Sequence, residues 1–142
     1  MGSVMTRSGA LVAACLVLVA TATACGDTED ASLCVVYGEY LSVVQPVLDA
    51  DPTGATAAEA ATAVEDVLAS VRHLRAVTEG RYAAPVDALE ATLDDLRRTL
   101  RSVDGDADYA TWQPLVEDSI DDANDAAARV ADEIGPVCAP GS

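Results

Sequence analysis

Lysine and phenylalanine are both absent from the 142 residues, and histidine occurs once, as His73. Eight arginines stand against 24 acidic residues, a formal net charge of −16. No stretch gathers enough arginine to offset that field, so nucleic acid and anionic lipid are repelled and no nucleic-acid partner is expected. A zinc site needs several His or Cys ligands, and a general base needs a group that orients it. One histidine between Arg72 and Arg75 supplies neither, and it reads as a partly exposed helical residue. The chain has no P-loop, no G-x-G-x-x-G and no G-x-S-x-G. With no catalytic set assembled, the expectation is a protein that is not an enzyme and carries no cofactor. Aromatics are limited to four tyrosines and Trp112. No segment alternates apolar and polar residues with a period of two, which excludes strands, and no internal repeat is present.

What the chain does have begins at its N-terminus. Met1 to Arg7 carries one positive charge, followed by an uncharged run at 8–24 with a strongly apolar middle at 11–19. The run closes on Ala22, Thr23 and Ala24 ahead of Cys25 and Gly26. A charged start, a short apolar middle and small residues before a cut describe a secretory signal, read here at 1–24. Small residues directly before a cysteine resemble the lipobox of bacterial lipoproteins, with Ala22 where that family usually has Leu. The resemblance implies that the signal is removed and that Cys25 becomes the acylated first residue. It places the protein outside the cytoplasm, anchored to the outer face of the cytoplasmic membrane. The abundance of Ala, the lack of Lys and the Thr-Ala-Cys-Gly junction resemble in style the small lipoproteins of GC-rich actinobacteria. Two other readings of this stretch stand beside it. Ala22-Thr23-Ala24 also fits the A-x-A site of an ordinary secreted protein, and about 20 apolar residues can span a bilayer uncleaved. Parity of the cysteines favours acylation: loss of Cys15 with the signal leaves Cys25, Cys34 and Cys138, and a lipid on Cys25 lets the other two pair.

Cleavage leaves 142 − 24 = 118 residues, one domain's worth, with a charge of 7 − 24 = −17. Residues 25–31 include Asp27, Glu29 and Asp30 with nothing apolar to pack, so they read as an acidic tether before a bundle domain at 32–139. Four amphipathic stripes follow, each with apolar residues three and four apart. The first holds Leu33, Val36, Tyr37, Tyr40, Leu41, Val44, Val47 and Leu48, with Ser32 as N-cap and Pro46 near its end. The second follows a Thr56-to-Glu59 capping box and holds Ala60, Val64, Val67, Leu68, Val71 and Leu74. It ends near Val77, with Gly80 available for a left-handed turn. The third starts between Tyr82 and Pro85 and holds Val86, Leu89, Leu93, Leu96, Leu100 and Val103. The fourth holds Val116, Ile120, Ala123, Ala127, Val130 and Ile134 and is expected to stop at Gly135-Pro136.

Four such helices with short loops predict an all-α, antiparallel up-down four-helix bundle. In that arrangement Cys34 and Cys138 lie at the same end, and an oxidising compartment allows them to bond.

Candidate sites are few. Asp104, Asp106 and Asp108 alternate like the first ligands of a calcium loop. However, the sixth loop position is Tyr109 where glycine belongs, and the twelfth is Leu115 where a glutamate is required. Asp108 is equally explained as an N-cap. Glu117, Asp118, Asp121, Asp122 and Asp125 crowd one flank of the fourth helix, at a cost in like-charge repulsion. Arg97, Arg98 and Arg101 are expected to relieve it if the two faces adjoin. Tyr109 and Trp112 read either as a contact patch or as the cover of one core end. The favoured expectation is a non-catalytic, lipid-anchored envelope module that binds a basic protein partner. The alternative is a carrier of a small ligand or cation, its cavity lying along the alanines of the fourth helix.

Overall fold

The computed structural model describes residues 24–140, without the side chains of residues 24–28 and of Arg81. The stretch read as a signal, up to residue 23, and the side chain of Cys25, where a lipid is expected, fall outside the described residues. Four α-helices are present: α1 (Ala24–Asp49), α2 (Ala57–Val77), α3 (Ala83–Ser102) and α4 (Tyr109–Cys138). Short 3-10 turns at Pro52–Gly54 and Gly80–Tyr82 join the first three. The described residues contain no strand, and the helices pack on one another as an all-α bundle.

The middle of the chain follows its sequence signals closely. Thr56 accepts from the Glu59 backbone N–H while the Glu59 carboxylate accepts from the Thr56 N–H, completing the capping box. The next orphan donors of α2 are met from a distance: Ala57 N–H donates to the Ala107 carbonyl and Ala58 N–H to that of Gly105, each at 3.0 Å. Gly80 takes φ +61°, a left-handed conformation that glycine adopts without a Cβ penalty. Pro85 sits in the first turn of α3, where its missing N–H breaks no helical bond.

Both outer helices run further than expected. α1 begins at Ala24, so the stretch read as a tether is helical and Ser32 lies inside the helix instead of capping it. α4 continues through Gly135 and Pro136 to Cys138. A proline inside a helix costs one backbone bond and some steric strain. Here the last turn is held by the disulfide between Cys138 and Cys34, with the two Cα atoms 5.2 Å apart.

The core divides into two clusters. The proximal one, at the disulfide end, joins Leu33, Val36, Tyr37 and Tyr40 of α1 to Val67 through Leu74 of α2, Val86 through Leu93 of α3, and Ala123 through Ile134 of α4. The distal one holds Ala57 and Ala61 of α2, Leu96 and Leu100 of α3, and Trp112 and Val116 of α4. α1 contributes nothing to it. The ion pairs Arg72–Glu90, Arg75–Asp87 and Arg101–Glu65 climb α2 while descending α3, so those two helices are antiparallel.

Two alanines of α4 are fully packed, Ala123 and Ala126, whereas Ala127, expected to be one of the inward pair, is only half-buried. By length and composition alone, residues 29–49 of α1 are apolar enough to cross a membrane. In the bundle, four apolar side chains of its first half are buried against the other helices.

Tyr37 and Tyr40 stack at 5.9 Å within the proximal cluster. Burial raises both phenols, and Tyr40, with the Tyr37 charge adding to the effect, is pushed up to about 12. The folded state therefore keeps protons that the unfolded chain releases near pH 10, so stability is full below about pH 10 and declines as pH rises towards 12. Tyrosine is the only side chain of this lysine-free composition that ordinarily titrates there. Unfolding free energy should fall by roughly 1 to 3 kcal/mol across that window, tracked by denaturation at each pH alongside tyrosinate absorbance. Tyr40→Phe should flatten most of the decline; an unchanged slope would assign it elsewhere.

Candidate functional site

The ion pairs form one seam, and it is not the one the sequence led us to expect. Arg101 grips Glu65 of α2 with both carboxylate oxygens at 2.8 Å, and Arg97 reaches Asp94 at 2.8 Å. Arg98 pairs with Asp94 and Asp95, while Arg72 and Arg75 of α2 both reach Glu90 of α3. The expected neutralisation of the α4 flank by Arg97, Arg98 and Arg101 does not occur. These arginines lie on α3 where carboxylates of α2 and of their own helix are nearer. Within α3 the pairs at three- and four-residue spacing were readable from sequence; the pairs across to α2 depend on the register of two packed helices and were not.

Glu117, Asp118, Asp121, Asp122 and Asp125 are all exposed, and among the described residues no cation pairs with any of them. The face they occupy lies opposite the α4 residues Val116, Ala123 and Val130, which fill the core. Nothing in the α2–α3 seam offsets this field, because the arginines there are already engaged.

Trp112 is no surface contact. It is 4% exposed, and its indole N–H donates to the Ala55 carbonyl at 2.9 Å. Tyr109 stands edge-on to it at 5.0 Å and remains half-exposed. The pair closes the distal cluster, with Ala57 and Ala61 leaving room for the indole.

Two of the three loop aspartates have carboxylates with local duties. Asp104 accepts from the Asp106 N–H, and Asp108 caps α4 by accepting from the Thr111 N–H at 3.0 Å. The Thr111 hydroxyl beside Asp108 holds its carboxyl below the usual range, as Thr53 does for Asp51 and the Arg97 guanidinium for Asp94. Stabilisation from these three is present above the ordinary carboxylate range and fades as pH falls through it. Among the described residues no group of three or more His, Cys, Asp or Glu is arranged to hold a metal ion. His73 lies exposed with Nδ1 3.4 Å from the Glu39 carboxylate of α1.

A cleft of about 410 Å³ opens at the proximal end, between the start of α1 and the α2–α3 turn. Glu29, Asp30 and Glu79 rim it, with Leu33, Val77 and Tyr82 beneath. No residue of α4 lines it, so it does not lie along the alanine seam where a carrier's cavity was expected.

The stripe of α1 is covered for only half its length. Leu33, Val36, Tyr37 and Tyr40 are buried, but the same face continues into Leu41 at 43%, Val47 at 38% and Leu48 at 63% exposure. Sequence periodicity placed all of these in the core; α1 gains its cover from α2 and much less from α4, and the distal cluster closes without it. Comparison with protein-family models, curated proteins and solved structures finds no match for this chain.

Proposed function

We propose that this chain is a lipid-anchored, non-catalytic helical-bundle protein of the bacterial cell envelope that binds a basic protein partner. The anchor is the lipid expected on Cys25, and the body is the disulfide-closed bundle of α1 to α4. The observation that carries the reading is the row Glu117, Asp118, Asp121, Asp122 and Asp125, exposed along α4 and without an ion pair among the described residues, while five arginines of α2 and α3 are engaged with carboxylates of those same two helices. Surface pairs are worth only about 0 to 1 kcal/mol each, so their absence here scarcely weakens the fold, while the field they leave attracts cations over long range. The disulfide supports an oxidising compartment, in keeping with export.

Two measurements test it. Mass spectrometry of the purified protein should find a diacylglyceryl-type modification on Cys25 as the first residue; a full-length cytosolic species with free thiols would overturn the location. Affinity capture from solubilised membranes should recover a protein partner that is lost with the double substitution Asp121→Asn and Asp122→Asn. Recovery of a lipid or metal ion in place of a protein would favour the carrier reading.

A further inference from the structure

The uncovered half of the α1 stripe, taken with the charge of the molecule, says what kind of chain covers it. We infer that Leu41, Val47 and Leu48, beside the half-buried Val44, form the seat of a cationic amphipathic helix contributed by the partner. This rests on the partner-binding reading and specifies the partner's chemistry.

Four observations lead there. The stripe is the direct continuation of the buried face Leu33, Val36, Tyr37 and Tyr40, so its spacing is already that of helix-on-helix packing. The distal cluster contains no α1 residue and the proximal one reaches only Val43 and Val44 of these turns, so Leu41, Val47 and Leu48 stay exposed among the described residues. A second copy of the chain brings another net charge of −16, and anionic lipid is repelled by the same field. Leu48 also lies 23 residues beyond Cys25 on one helix, roughly 35 Å along its axis at about 1.5 Å per residue, far from an anchored end. An apolar stripe flanked by lysine or arginine answers the exposed leucines and the strongly acidic charge of the whole molecule, the arrangement used when a helix is laid in a groove.

The test uses the purified chain reconstituted in nanodiscs of zwitterionic lipid, with three synthetic helical peptides as probes. All share leucines three and four apart; one has lysine flanks, one glutamate flanks, and one is the lysine peptide with its leucines scrambled. Calorimetric titration should show binding of the first alone. Leu41→Gln with Leu48→Glu, at positions already exposed, should weaken it at least tenfold, whereas Val35→Glu, on another face of α1 and 64% exposed, should leave it unchanged. Circular dichroism of each variant should match the parent. Equal binding of the scrambled peptide, or no loss with Leu41→Gln and Leu48→Glu, would overturn the seat. If that binding nevertheless disappears with Asp121→Asn and Asp122→Asn, the acidic-face reading survives and only the seat fails. No binding of any probe, with concentration-dependent dimers lost in the Leu48→Glu variant, would assign the stripe to a second copy and overturn the inference.

Discussion

Replacing Cys34 and Cys138 together with serine should lower the unfolding free energy by about 4 to 5 kcal/mol. The bond spans a sequence separation of 104, and closing a loop of about 100 residues removes that much denatured-state entropy in the chain-entropy model. Little else ties the two ends together, since α1 packs mainly on α2 and only thinly on α4. Urea denaturation of the oxidised protein and of the double serine variant measures the difference directly. The variant should also show a steeper denaturant slope, because its unfolded chain is no longer cross-linked and exposes more surface. A loss below about 1 kcal/mol would mean that Leu33, Val36 and Ile134 secure the ends by packing alone.

Trp112→Ala should be the most damaging single substitution in the distal half, at about 3 to 5 kcal/mol. The indole is 4% exposed and fills the space between Ala57, Ala61, Leu96, Leu100 and Val116. Its removal opens a cavity that small neighbours cannot fill, and it leaves the Ala55 carbonyl without its donor. Trp112→Phe separates the two contributions: it keeps much of the ring volume and forfeits the hydrogen bond, for about 1 kcal/mol plus incomplete filling. Equilibrium unfolding of both variants beside Val35→Ala, an exposed control, checks the order. If alanine costs no more than phenylalanine, the distal cluster does not depend on the ring.

The parts of the fold that were legible in sequence are those fixed by local chemistry. Thr56 and Glu59 marked the start of α2 because a capping box needs nothing beyond four consecutive residues, and Val86 through Leu100 marked α3 because its seam is regular. The meeting of Cys34 with Cys138 was legible from helix count alone, since a bundle of four returns its last end to its first. The outer helix ends were not. Pro136 argues locally for termination and the bond at Cys138 outweighs it, whereas the acidic run before Ser32 is helical with residues 29–32 exposed, and nothing in the packing explains that extension. Periodicity also over-assigned the core: it reports that Leu41, Val47 and Leu48 share a face, but not whether another helix arrives to cover it. The acidic row on α4 could be read directly from its residues. That its charges stay unpaired could not, because it depends on where Arg97, Arg98 and Arg101 point once α2 and α3 are in register.

The staple at Cys34 also decides how the molecule answers to mechanical load. A pull applied at the two chain termini enters at Cys34, crosses one covalent bond and leaves at Cys138. The intervening helices are bypassed and stay slack. Traction exerted through the far loops, by contrast, would act on non-covalent packing alone, so the body resists stretching along one direction and yields along the other.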